Sequence, residues 1–247
     1  MGLANALIVA LIAPTAAELV AYYSWNWGSG STGPRDATAG VAFTGLVDVD
    51  DALTGYQQNA SWCCPPLPAT AWLSLGGGNA AGEFDVPALS KIDDAACARV
   101  AAAGYAGVVF DVEIVTGAAA DVVPAFSRAF ERVKAAGLTV VITTSHSAPY
   151  QTDSPSDAVA LVRSWAADEN VDVLSPQLYS SGDEKAPEFD ETASCVDAGC
   201  TWDLYAGARA DIMPSIVDDS QYAAVASWFA GRSLTTTGFV QWKQVAS

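Results

Sequence analysis

"ARVAAAGYAGVVFDVE" (98–113) and "ERVKAAGLTVVITTS" (131–145) share one layout. Each runs from an Ala-rich helix end, through Gly104 or Gly137, into a β-branched stretch. A glycine just past a helix is the usual left-handed stop, and β-branched residues after it favour a strand. The two glycines stand 33 positions apart, about one strand–helix unit. Upstream of Gly137, Val122, Phe126, Phe130 and Val133 recur at helical spacing. "SPSDAVALVRSW" (154–165) opens a further helix with Ser154, Pro155 at its first position and Asp157 as capping-box partner. Its apolar face is Val159, Leu161, Val162 and Trp165.

Extending the pattern gives eight strands, at 18–24, 40–44, 70–75, 106–112, 138–144, 171–179, 210–216 and 237–242. Strands alternating with helices imply a parallel sheet. Eight of them predict an α/β fold, a single compact (β/α)8 TIM barrel. The first two strands are followed by loop-like stretches, "NWGSGSTGPRD" (26–36) and "YQQNASWCCPPLPA" (56–69), so the first βα connections are expected to be irregular. Five residues after Trp242 leave little or no room for an eighth helix. No composition break divides residues 18–247, which read as one domain.

Half of the chain, 51%, is apolar, enough for a sizeable core. A net charge of −17 with only 11 scattered Lys and Arg repels phosphate backbones. Nucleic acid and anionic membrane are excluded as partners on that ground, and a monomer is expected. Residues 1–17, "MGLANALIVALIAPTAA", are uncharged, with an apolar run from Leu7 to Ala13 and small residues Thr15 and Ala17 before Glu18. They read as a secretory signal cleaved before Glu18, hence a secreted protein; the alternative is a helix packed under the barrel. In that setting Cys195 and Cys200 are spaced for a small loop disulfide, Cys63 and Cys64 do not readily bond each other, and pairing of Cys97 with one of those two would leave the other free. Asn59 opens a glycosylation sequon. His146, the only histidine, gives no support to a zinc site and is assigned no role; neither metal nor cofactor is expected.

Within the fourth strand, "VFDVE" places Asp111 and Glu113 two positions apart, so both side chains share one face with Cα atoms roughly 6.5 Å apart. Burying an unpaired carboxylate is costly, whereas the carboxyl ends of barrel strands are where active sites gather. Glu113 then sits at the mouth with Asp111 one layer below. Burial and the neighbouring acid raise the pKa of Glu113, which suits a general acid. A retaining glycosidase with two carboxylates needs a nucleophile roughly 5–5.5 Å away, yet Glu113 is the only glutamate at a candidate strand end. The aspartates of "MPSIVDD" (213–219) fall where a helix should start and read as caps. A one-acid mechanism, with the substrate supplying the nucleophile, fits better.

At these residues the chain resembles glycoside hydrolase family 18, the chitinase-like barrels. Of that family's fourth-strand DxxDxDxE, "AGVVFDVE" matches the last two acids, Asp111 and Glu113, with Ala106 and Val109 in place of the first two. The third-strand SxGG is matched by Ser74, Gly76 and Gly77, and the sixth-strand MxYD by "QLYS", with Gln177, Tyr179 and Ser180. "VAYYSWNWG" (20–28) is similar to the family's first strand, and Trp242 ends the eighth. The resemblance implies substrate-assisted, retaining hydrolysis of β-linked N-acetylglucosamine glycans. Glu113 would protonate the leaving oxygen, Asp111 would orient the substrate's acetamido group, and Tyr179 would hydrogen-bond its carbonyl. Trp242 would stack on the sugar, with Gln177, Tyr22, Trp25 and Ser74 as further substrate-binding residues and Trp27 extending the platform. The loss of two of the four motif acids, at Ala106 and Val109, supports a different alternative, a catalytically weak or silent chitinase-like glycan-binding protein, and the retained Glu113 opposes it. A third is a hydrolase whose second carboxylate comes from Asp183, Glu184 or Glu188.

Overall fold

The computed structural model describes residues 18–27, 33–58, 63–64 and 66–243. The leader expected over 1–17 and the sequon at Asn59 lie outside the described residues. Strands β1 (Leu19–Trp25), β2 (Ala39–Phe43), β3 (Thr70–Gly76), β4 (Gly107–Asp111), β5 (Thr139–Ser145) and β6 (Val173–Gln177) pair in sequence order. The seventh barrel strand is split around Met213 and Pro214 into β7 (Asp211–Ile212) and β8 (Ser215–Ile216). β9 (Gly238–Gln241) then pairs with β1, and all pairings are parallel, so the sheet closes on itself.

Gly104 and Gly137 take φ values of +89° and +77°, which place a left-handed residue at each helix-to-strand turn. The helices are α1 (Val49–Gly55), α2 (Val86–Ser90), α3 (Asp94–Ala102), α4 (Ala119–Ala135), α5 (Pro155–Ala167) and α6 (Tyr222–Ala230). On α4 the periodic Val122, Phe126, Phe130 and Val133 are all buried, and Phe110 of β4 meets Phe130 edge-on at 4.9 Å. Phe110 therefore faces the helix layer, which turns its neighbours Val109 and Asp111 to the barrel interior. The lower interior is packed by Ala21, Tyr23, Val41, Trp72, Val109, Val141, Met213 and Val240.

Four local expectations need correction. Helix α1 stands between β2 and the irregular 56–69 stretch, because the Asp48 carboxylate accepts from the Asp50 and Asp51 N–H groups and caps it. β6 and β7 are joined without an α-helix, through 3₁₀ turns at Val196–Ala198 and Trp202–Tyr205. Asp157 does not complete a capping box on Ser154. It accepts from the Ser154 hydroxyl at 2.6 Å and from the Ala119 N–H at 2.9 Å, so it secures the start of α4. The Cys195–Cys200 disulfide is present as expected, while Cys97 is buried and free and pairs with neither Cys63 nor Cys64. Cys97 stays unpaired because α3 turns it into the packed layer between helix and sheet, where burial also raises its thiol pKa. Asp218 caps the turn leading into α6 through the Ser220 N–H, as its position suggested.

Candidate active site

Asp111 is the last residue of β4 and 1% exposed, while Glu113 lies two residues on, part-way out of the barrel mouth. The backbone between them is fixed on both sides. Val112 N–H donates to Thr143 O at 2.8 Å, and Gln151 N–H donates to Glu113 O at 3.3 Å. The Gln177 side-chain amide donates to Asp111 Oδ1 at 3.0 Å, and the Ser145 hydroxyl donates to Glu113 Oε2 at 3.1 Å. Burial first, and then the charge of Glu113, hold the Asp111 carboxyl well above its ordinary range against the Gln177 hydrogen bond. Glu113 is raised too, by burial, with the Ser145 and Gln177 hydrogen bonds pulling the other way. Two acids this close titrate as a pair, and the first proton is held at pH values where a free carboxylate has lost it.

The glycine run after β3 roofs this pair. A Cβ on Gly78 would stand 2.9 Å from Glu113 Oε2, and one on Gly77 would stand 3.6 Å from Asp111 Oδ2. Gly76 takes φ +97° and Gly77 +141°, backbone that only glycine adopts without strain. The exposed Tyr150 donates to Gly78 O at 3.3 Å and ties the roof to the opposite lip.

Beside the acids stands an aromatic wall. Trp242 stacks on Tyr179 with ring centroids 5.8 Å apart, and its other neighbours are Tyr23 at 5.3 Å, Trp25 at 4.8 Å and Phe43 at 5.4 Å. Trp25 in turn stacks on Trp27, which is 59% exposed, so the wall continues out to solvent. The Tyr179 hydroxyl is buried with no hydrogen-bond partner among the described residues, and it feels the charges of both Asp111 and Glu113. A buried, unpartnered phenol beside two acids is a polar group held ready for a ligand.

Two of the residues picked from sequence are elsewhere. Tyr22 alternates out of the barrel, packs on the Gly33 backbone and lines a surface hollow with Pro34, Arg35 and Leu67. The inward tyrosine is Tyr23, whose hydroxyl meets Ser215 Oγ at 3.2 Å beneath the acids. Ser74 does point inward but is fully buried, in register with Val109, one layer below Asp111, so it shapes the floor without reaching the cleft. Gln177 reaches the site as a partner of Asp111. Ser145 escapes the sequence reading because β5 runs one residue beyond the expected strand end. Gly78 escapes it because a glycine run does not show which atom it must clear.

The loop acids Glu184 and Glu188 have partners of their own. Burial pushes Glu184 up, but the Ser181 N–H and hydroxyl, with the Ser180 N–H, outweigh it and hold the carboxylate at about 2. Glu188 pairs with His146 and Ser180. A cavity of about 850 Å³ among the described residues opens at the opposite end of the barrel, against Leu19, Trp72, Val173 and Met213. It holds neither member of the acid pair.

Solved structures place this architecture. The spore cortex-lytic enzyme SleL of Bacillus megaterium QM B1551 superposes with a TM-score of 0.55 at 12% identity, covering 94% of this chain and 72% of that one. The chain has the fold of a TIM barrel. A chitinase from Chromobacterium violaceum ATCC 12472 gives a TM-score of 0.45 at 14% identity, over 81% of this barrel and 68% of that chain. Homocysteine methyltransferase MmuM from Escherichia coli gives 0.43 at 12% identity, over 83% and 75%. No family model and no curated protein matches the barrel. At such identity the likeness concerns fold alone, and function has to be argued from the site.

Proposed function

We propose that this barrel is a retaining glycoside hydrolase acting on β-linked N-acetylglucosamine glycans, with Glu113 as general acid and the substrate's acetamido oxygen as nucleophile. The observation that carries the reading is the stacked pair itself. Asp111 is buried and bonded to Gln177, Glu113 stands above it at the mouth, and both hold protons more tightly than free carboxyls. Glu113 gives its proton to the glycosidic oxygen as the bond to the anomeric carbon breaks. The acetamido carbonyl closes on that carbon to form an oxazolinium ion, and Asp111 accepts the acetamido N–H and balances the developing charge. The free Tyr179 hydroxyl supplies a donor for the carbonyl, and Trp242 presents its face to the apolar side of the sugar ring. Water then opens the oxazolinium with Glu113 as base, restoring the original anomer. Engagement of Glu184 and Glu188 with other partners supports a nucleophile that comes from the substrate.

The test is the first-formed product from an N-acetylchitooligosaccharide, followed by NMR before mutarotation. The β-anomer is expected; the α-anomer would remove the mechanism, and tight binding without cleavage would leave the silent glycan-binding alternative that Val109 favours. A second expectation follows from the roof. Gly78→Ala pushes against the mobile end of Glu113 and not against backbone. It should lower kcat about tenfold or more through misplacement of the acid, with a melting temperature within a few degrees of the parent. Unchanged turnover in that variant would show that Glu113 does not work from this position.

A further inference from the structure

We propose that Glu188 selects a cationic amino sugar, an unacetylated glucosamine unit, in the part of the glycan bound next to the scissile linkage. This rests on the hydrolase reading above and adds a substrate preference to it. Glu188 closes the loop after β6: its N–H donates to Leu178 O at 2.9 Å, which folds the loop back over the strand end. Its carboxylate Oε2 accepts from the Ser180 hydroxyl at 2.7 Å and lies 3.3 Å from His146 Nε2. Ser180 adjoins Tyr179, and His146 adjoins the Ser145 that holds Glu113. The carboxylate is therefore pinned between the ends of β5 and β6, on the rim above the acid pair.

Both contacts fall on one oxygen. Among the described residues Oε1 has no protein partner, and the side chain is 35% exposed. His146 is anchored in turn, at φ +47°, with its N–H on Gln177 O at 3.0 Å. Glu184, by contrast, is already saturated by backbone N–H groups and has nothing left to offer a ligand. The exposed Lys185 of the same loop makes no ion pair among the described residues, and the basic side chain paired with Glu188 is His146, 3.3 Å from Oε2. The Tyr179 phenol, one residue from Ser180 and without a hydrogen-bond partner among the described residues, lies below this rim beside the acid pair.

A fixed, half-exposed carboxylate oxygen discriminates by charge. A hydrogen bond to an ammonium is roughly twice as strong as one to a neutral donor. A chain of net charge −17 also draws a polycation towards its clefts. An acetamido group at that position offers one neutral N–H and more bulk.

The experiment is titration calorimetry of the whole protein and of Glu188→Gln, at neutral pH and low salt. The probes are a fully N-acetylated glucosamine tetramer and a partially de-N-acetylated one. The parent should bind the aminated tetramer about tenfold more tightly, about 1.4 kcal/mol. Glu188→Gln should lose most of that preference, and salt should erode it in the parent alone. Equal loss on both tetramers, no loss on either, no binding, or a parent that prefers the acetylated tetramer would each overturn the proposal. A Glu188-dependent preference without cleavage of either tetramer would keep this inference and remove the hydrolase reading. Cleavage with no such preference would do the reverse. An unshifted melting temperature for Glu188→Gln ensures that folding is not what is being read.

Discussion

Glu113→Gln should lower turnover of an unactivated N-acetylglucosamine oligomer by about 10²–10⁴-fold, the range that a positioned proton donor contributes. The fold should be untouched, because the glutamine Oε1 still accepts from the Ser145 hydroxyl and no new volume enters beneath Gly78. Substrate affinity should change little, since Trp242, Tyr179 and Asp111 remain. The diagnostic readout is the leaving group. A nitrophenyl glycoside departs without much help from a proton, so the variant should lose far less on it than on a sugar leaving group. The pH profile supplies a second sign. Burial raises the Glu113 pKa, so the acid form persists above the ordinary carboxylate range and activity falls as pH rises through the raised value. That alkaline limb should vanish in the variant. More than a tenth of parental turnover on the unactivated oligomer would end the general-acid assignment.

The eight strands could be read from sequence because each is a β-branched or aromatic run closed by glycine or polar residues. That signal is local. The same holds for the acid pair, since two carboxylates inside an apolar run have few places to go but a strand end. The rest depends on partners distant in sequence. Tyr22 and Tyr23 are adjacent on a strand of period two, so one must face inward, and only the packing of Tyr22 on Gly33 says which. Asp157 has the spacing of a local cap, yet its carboxylate reaches Ala119, 38 residues away. Ser74 matches a motif, but its depth is set by pairing with β4, where it lies level with Val109. The helix missing between β6 and β7 is likewise invisible, because the disulfide-bridged turns that replace it carry the same mixed polar composition as a helix-bearing crossover.

Asp111→Asn is expected to abolish turnover and yet make the protein more stable at neutral pH. The parental carboxyl is buried, and burial together with Glu113 raises its pKa well above 3.8. In the unfolded chain the same group ionises near its ordinary value. Between those two pKa values the native state holds a proton that the unfolded state has released, so stability falls as pH rises, and above the native pKa the full penalty stands. Every tenfold tightening of the native state's hold on that proton corresponds to about 1.4 kcal/mol. Asparagine is isosteric, its Oδ1 still accepts from Gln177, and it never ionises. The variant should therefore melt higher than the parent at pH near 8, with about 2–4 °C for each kcal/mol relieved in a chain of this size. The gap should close as pH falls below the ordinary aspartate value of about 3.9, where the parental carboxyl is protonated in both states. Loss of activity follows separately, because an amide cannot balance positive charge at the acetamido group. A variant that melts lower at pH 8, or whose offset is constant across the range, would show that Asp111 is not a charge held in the barrel for its chemistry. A stability offset of that sign and pH dependence would mark Asp111 as a charge kept at this strand end for chemistry and not for packing.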